Sequence, residues 1–351
     1  MVNPREVDAV LARFRLPAGD CLVERITTGH INFTYRAEVP TRGPSFILQR
    51  INRQVFQKPE VISANIRLAA DYLHKHDPGY LFPEPVQGVD GRDLQYDESG
   101  EPWRLFPFLS GTYTVNVATS PAQAYAAAAA FGRFNRLLSN LPIAGVGETI
   151  PRFHDLAWRW QQFTDACERG VPARLAEASP EISQAKRFST LVDQYRACLQ
   201  SGALVKRVFH NDTKINNLLW WGDRHEPACV IDLDTLMPGY FIYDLGDLVR
   251  TLVSPVSEEE RDVTRIAVRD EYYEAVVTGY MSAMEPVLTG EEIQLVPFAG
   301  KMMTFIMALR FLSDFLLGDV YYQTHYAGQN LVRARNQLTL LEQLCGGQLP
   351  N

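Results

Sequence analysis

Apolar and polar positions along this chain change their period near residue 108. Before it, short β-rich runs occupy Cys21 to Ile26, Phe33 to Val39 and Phe46 to Ile51. Turn signals separate them, Thr27-Thr28-Gly29-His30-Ile31-Asn32 and Pro40-Thr41-Arg42-Gly43-Pro44. Val61, Ile62, Asn65, Ile66, Ala69, Ala70 and Leu73 then recur at helical spacing. Two further strands are expected around Asp93 to Tyr96 and Trp103 to Phe108. The stretch Phe106-Pro107-Phe108-Leu109-Ser110-Gly111 reads as a connector.

Beyond the connector the spacing predicts helices over Pro121 to Ser139, Phe153 to Asp165, Ile182 to Leu199 and Glu259 to Met281. More are expected within Val296 to Leu317 and Asn330 to Leu344. One non-helical island interrupts them, from Arg207 to about Asp234, with strands at Leu218 to Trp221 and Ala228 to Ile231. The expectation is an α+β, bilobal plan: a β-rich N-terminal lobe over residues 1–108 and a mainly helical C-terminal lobe over 109–351 with an embedded hairpin.

Composition narrows the functions compatible with this plan. The chain has 351 residues, 46% hydrophobic and 21% charged, enough for two cores. Its 34 Lys and Arg against 41 Asp and Glu give a formal charge of −7, and no basic block stands out, so a nucleic-acid partner is not expected. Cys21, Cys167, Cys198, Cys229 and Cys345 are scattered and odd in number, which argues for free thiols rather than a disulfide framework or zinc site. No secretory signal is apparent after Met1, and the most apolar stretch, Met302 to Leu317, carries Arg310 and Asp314 and reads as a buried helix rather than a membrane span. The cytoplasm is the expected location. Oligomeric state is left open.

The island carries the chemistry. It reads His210-Asn211-Asp212-Thr213-Lys214-Ile215-Asn216-Asn217, followed by Val230-Ile231-Asp232-Leu233-Asp234. Phosphoryl transfer needs a carboxylate to orient and deprotonate the attacking hydroxyl, oxygen ligands for magnesium, and a cation against charge developing on the γ-phosphate. Asp212 suits the base, Lys214 the cation, and Asn217 and Asp232 the metal. The offsets match the H-x-D-x-K-x-x-N loop of protein kinases, with Asp232 where the D-F-G aspartate stands. The bland alternative is an Asn- and Asp-rich turn between strands. Two carboxylates at the end of one hairpin favour the magnesium site. Downstream, Asp244 in Tyr243-Asp244-Leu245-Gly246-Asp247 reads either as a helix cap or as a brace for the loop backbone, structural in both cases.

With these residues the chain resembles the aminoglycoside phosphotransferase and choline kinase family, and within it the N-acetylhexosamine 1-kinases. The likeness runs through Gly29 to Tyr35, Phe46 to Asn52, Arg152-Phe153-His154-Asp155, the island, Ile231 to Gly239, Arg310 to Tyr322 and Asn330-Leu331-Val332-Arg333. It implies a protein-kinase-like fold with nucleotide on the first lobe and sugar on the second. It also implies ATP as phosphoryl donor, Mg2+, and the anomeric hydroxyl of N-acetylglucosamine or N-acetylgalactosamine as acceptor. The sugar pocket would include His30, Asp212, Arg310 and Tyr321. Gly29, Asn32, Gln49, Phe108 and Leu109 would contact the nucleotide, the last two through backbone groups.

One departure stands out. The third strand of kinases supplies a lysine to the α- and β-phosphates, whereas Phe46-Ile47-Leu48 leads into Gln49 and Arg50, and no G-x-G-x-x-G loop is present. Other residues keep two readings. His30 is either an exposed turn residue or a donor to sugar or phosphate. Arg310 either pairs with Asp314 four residues on or donates to sugar hydroxyls or product phosphate. Tyr321 is core or sugar wall, and Phe153-His154-Asp155 reads as helix entry and packing. The rival functions are a kinase for another small alcohol, such as an aminoglycoside, choline or methylthioribose, and a nucleotide-binding pseudokinase. Cationic acceptors call for acids near the base, and none cluster after Tyr321. An intact Asp212, Lys214, Asn217 and Asp232 set argues against the pseudokinase.

Overall fold

The computed structural model describes residues 4–16, 21–26, 31–39 and 43–346. In chain order the elements are α1 (Pro4–Arg13), β1 (Leu22–Ile26), β2 (Phe33–Glu38), β3 (Ser45–Arg50), α2 (Pro59–His76), β4 (Gln95–Tyr96), β5 (Pro102–Pro107) and β6 (Thr112–Thr114). There follow α3 (Pro121–Leu138), α4 (Leu156–Arg169), α5 (Pro172–Glu177), α6 (Ser179–Arg187) and α7 (Thr190–Ser201), then β7 (Arg207–Phe209), β8 (Leu218–Trp221), β9 (Pro227–Val230) and β10 (Met237–Gly239). The chain ends in α8 (Phe241–Leu252), α9 (Asp270–Met284), α10 (Gly290–Gln294), α11 (Val296–Leu317) and α12 (Gln329–Leu344).

These elements form two compact units. The first comprises Met1–Thr114, Asn140–Pro151 and Leu218–Pro238. Its antiparallel sheet has the order β1-β2-β3-β5-β4, and the register sets Gln49 opposite Thr34 on one side and Arg104 on the other. Side chains directly across neighbouring strands share a face, so these three form a polar row. The other face is apolar: Tyr35, Ala37, Leu48, Trp103 and Leu105 pack with Val7, Val10, Leu11 and Phe14 of α1 and the turn after it. Helix α2 buries Ile62, Ile66, Ala69 and Leu73. From its middle the buried Asn65 donates to the carbonyls of Gly147 and Leu236, both at 2.8 Å, and accepts the Gly147 N–H. A three-stranded sheet, β6-β8-β9, completes the unit.

The second unit comprises Val115–Ser139, Arg152–Asn217 and Gly239–Asn351 and is mainly helical. Helices α3 and α9 approach closely because each presents a glycine: a Cβ at Gly132 would lie 2.7 Å from the Tyr280 carbonyl. Gly246 of α8 likewise leaves no room for a side chain against Ala299 of α11. That packing fixes α8, which carries Asp244. Helix α11 is long and apolar enough to cross a membrane, yet 78% of its apolar window is buried inside the protein. It is the core helix of this unit.

Two expected helices differ. Ile182 to Leu199 is not continuous: α6 stops at Arg187 and α7 begins at Thr190. The fully buried Phe188 occupies the turn, so Ala185 on one side and Leu191, Val192 and Tyr195 on the other all face inward. The helix expected from Glu259 starts only at Asp270. Glu258, Glu259 and Glu260 pair instead with Arg250, Arg333 and Arg265, and Val263–Arg265 forms a single 3-10 turn.

Candidate active site

In the second unit, β7 delivers the chain into the loop that begins at His210. Asn211 has φ 63°, a left-handed conformation that asparagine tolerates better than most residues. Three groups hold it there. The fully buried Asp244 carboxylate, in the first turn of α8, accepts the N–H of His210 at 3.1 Å and of Asn211 at 2.8 Å, with Asn135 Nδ2 at 2.8 Å. His154 Nε2 donates to the Asn211 carbonyl at 2.7 Å. Thr213 Oγ1 donates to the Asp244 carbonyl at 2.7 Å. Of the two structural readings of Asp244, the structure has the brace; the helix cap position is Tyr240.

The peptide so fixed leads into Asp212. Its N–H donates to His210 Nδ1 at 3.2 Å, its Oδ2 accepts Asn217 Nδ2 at 2.9 Å, and its Oδ1 lies 3.3 Å from Lys214 Nζ. Burial raises the carboxyl pKa, but the Lys214 charge, the field of the His210 ring and the Asn217 bond outweigh it, and Asp212 is held below its ordinary value. Lys214 is raised above its own, chiefly by Asp212 and further by Glu258 and Asp247. Asp212 therefore stays ionised beside a firmly protonated lysine. The Asn217 amide nitrogen also bonds the Asp212 carbonyl at 2.9 Å, and its Oδ1 accepts no hydrogen bond among the described residues.

Around α4 and α11 the same unit gathers two arginines. Arg310 does not pair with Asp314, because that carboxylate accepts the consecutive N–H groups of Val320, Tyr321 and Tyr322 and the Asn330 amide. The ion-pair alternative thus falls to a loop that needs the same acceptor. Arg310 lies instead among the rings of Phe153, Tyr322 and Tyr321, 5.0, 5.5 and 5.8 Å from their centroids. Arg159 donates to the Phe153 carbonyl, and burial with the nearby Arg310 charge lowers its pKa to about 10. Among the described residues neither arginine has a carboxylate within ion-pair distance. Tyr321 is 57% exposed, which removes its reading as core, and the buried Tyr322 hydroxyl has no hydrogen-bond partner among the described residues.

The remaining residues of the expected site belong to the first unit. Asp232 has φ 60° and starts the 3-10 turn Leu233–Thr235. Asp234, two residues on, is not a spare metal ligand. It forms a buried ion pair with Arg104 and accepts Asn32 Nδ2 at 2.6 Å. Asn32 Oδ1 accepts the Asn52 N–H at 3.0 Å, and Gln49 donates to Thr34 Oγ1 at 3.2 Å while accepting Arg104 Nε at 3.0 Å. Both side chains are thus engaged within the unit. The Phe108 N–H is committed to the Ser45 carbonyl, and the Leu109 carbonyl accepts Thr112 Oγ1. Gly29 and His30 lie outside the described residues.

Residues 23–279 match the family model described as the phosphotransferase enzyme family, under the heading APH. The chain belongs to that family. It is a small-molecule phosphotransferase by family and has the α+β, protein-kinase-like fold of the group. Solved structures share the architecture at low identity. The microcompartment-associated aminopropanol kinase is 19% identical with a TM-score of 0.67, covering 98% of this chain and 99% of that one. A choline kinase from Cryptosporidium parvum Iowa II is 13% identical with a TM-score of 0.56, covering 97% and 96%. Aminoglycoside 2'-phosphotransferase-IIIa in its GDP complex is 15% identical with a TM-score of 0.58, covering 98% and 99%. A curated relative, exocyst complex component 5 of Rattus norvegicus, is 25% identical over 175 residues, and the aligned stretch spans only 24% of that protein.

Sequence reasoning did not single out Arg104 or a clamp on the catalytic loop at His154. Arg104 is a lone arginine in an apolar strand, and a buried charge of that kind signals a partner. The sequence does not say which partner, since Asp234 lies in a distant part of the chain.

Proposed function

We propose that this phosphotransferase moves the γ-phosphoryl group of magnesium-bound ATP to the anomeric hydroxyl of an N-acetylhexosamine, giving the sugar 1-phosphate. The observation that carries the reaction type is Asp212: a carboxylate kept ionised, oriented by Asn217 and flanked by Lys214. Such a carboxylate orients a hydroxyl and takes its proton as the bond to phosphorus forms. Lys214, 42% exposed at its side chain, is a mobile cation for the developing γ-phosphate charge.

Oxygen donors fit magnesium, and the residues that would hold it are Asn217, through its Oδ1, and Asp232. When bound, the metal offsets negative charge on the β- and γ-phosphates. Asp232 remains for this role because Asp234 is committed to Arg104.

A neutral polyhydroxylated acceptor is supported by charge. Among the described residues Arg310 and Arg159 have no carboxylate at ion-pair distance, and Phe153 with the polar-tipped Tyr321 and Tyr322 gives flat walls of the kind that line sugar sites. Of the acids near Lys214, Asp247 and Glu258 share Arg250, and Glu259 pairs with Arg333. A quaternary or primary ammonium acceptor would instead meet the Arg310 and Arg159 guanidinium groups. Scattered cysteines suit a reducing compartment, the cytoplasm by this reading.

The test is ADP release over a panel of free hexosamines, hexoses, aminoglycosides and amino alcohols with MgATP. Turnover with N-acetylhexosamines alone is expected. Turnover only with cationic alcohols would overturn the acceptor class, and magnesium-dependent nucleotide binding without any turnover would point to the pseudokinase.

A further inference from the structure

The first unit has no lysine on β3, yet the face of its sheet that carries Gln49 holds a buried arginine, Arg104. The polar row runs Thr34–Gln49–Arg104 across three strands, each hydrogen bond handing on to the next, and ends at Asp234. Arg104 and Asp234 are 3% and 2% exposed, so the pair sits out of water and resists re-partnering. Asn32 holds the second oxygen of Asp234, and Asn65 of α2 holds the Leu236 carbonyl beyond it. The turn after Asp232 is therefore pinned at two points, one in its middle and one at its end. Asp232 itself stands in a left-handed conformation at the entrance to that turn.

We propose that the Arg104–Asp234 pair is a positioning device that sets the Asp232 carboxylate for magnesium. Neither residue is a catalytic residue: each acts through the backbone of the turn. The inference rests on the phosphoryl-transfer reading of the site. A rigid turn matters because magnesium demands near-ideal octahedral geometry and tolerates little drift in its ligands. Groups that orient a metal-binding carboxylate change metal affinity by roughly 10- to 100-fold when removed.

The experiment titrates ADP by calorimetry at rising Mg2+, on the full chain, alongside thermal melting. In Arg104→Met and in Asp234→Asn the melting temperature should fall and the magnesium concentration for half-maximal binding should rise about 10- to 100-fold. ADP binding without magnesium should stay unchanged. The double variant Arg104→Met/Asp234→Leu removes both charges, so its melting temperature should recover while the magnesium requirement stays high. Recovery of both together would make the pair purely structural and overturn the proposal. So would an unshifted magnesium midpoint in folded single variants. If the single variants do not fold, Asn32→Ala removes its bonds to Asp234 and from the Asn52 N–H while leaving the Arg104–Asp234 pair in place, and no magnesium shift there overturns the proposal equally. An unaltered chain whose ADP binding ignores magnesium overturns the phosphotransfer reading first, and this inference with it.

Discussion

Asp234 and Asp212 both face a cation, and the two pairs differ in every physical respect that bears on use. Asp234 and Arg104 have side chains 3% and 4% exposed. Asp212 and Lys214 are 27% and 42% exposed and 3.3 Å apart. Breaking a buried pair by removing one partner costs about 3–5 kcal/mol, whereas an exposed pair contributes roughly 0–1 kcal/mol. The first pair is therefore costly to break, as the proposed brace requires. In the second, on the proposed reaction, Lys214 turns from Asp212 to an incoming phosphate at little cost. Location in a motif does not separate the two aspartates. Burial and partners do.

The largest effect that would break this comparison is in turnover. Asp212→Asn keeps the shape and removes the charge and the proton acceptor, so turnover should fall about 100- to 10,000-fold with nucleotide affinity nearly unchanged. Near-normal turnover would reassign the base. Next comes Arg310→Met, which removes one of the two arginines that have no carboxylate at ion-pair distance among the described residues. A charged hydrogen bond contributes about 1.5–3 kcal/mol, so the acceptor KM should rise tenfold or more while the KM for ATP holds. A selective rise in the ATP KM would move Arg310 away from the acceptor.

The smallest effect is on stability and concerns the loop's clamp. Burial pushes the His154 pKa down to about 3 from 6.5, so the imidazole is neutral in the folded chain and takes a proton once unfolded. Its contribution is full above about pH 6.5 and is lost as pH falls from there towards 3. His154→Gln keeps a donor for the Asn211 carbonyl and does not titrate, so the slope of stability against pH in that window should flatten. An unchanged slope would mean that other groups set the acid limit.

Much of this was legible from residue order alone. The strands on either side of Gln49, the helix through Asn65 and the core helix α11 follow from their apolar periods, because each buries one face or nearly all of itself. The Asp212 loop is legible because its members sit within eight residues. Pairs that close across long stretches of chain were not. Arg104–Asp234 and His154–Asn211 are contacts between elements, and no spacing rule links them. Arg310 shows the opposite failure. A correct i,i+4 rule proposed Asp314 as its partner, but the carboxylate finds three backbone N–H groups and an asparagine. Helix α1 went unrecognised although Val7, Val10, Leu11 and Phe14 follow helical spacing, because the stretch is short and its first turn is polar.

Phosphorus NMR of the reaction with MgATP and N-acetylglucosamine or N-acetylgalactosamine tests the central claim most directly. The account predicts ADP together with a phosphomonoester resonance coupled to the anomeric proton, absent with Asp212→Asn. Phosphate on any other position, or none on sugar while an amino alcohol is phosphorylated, would contradict it.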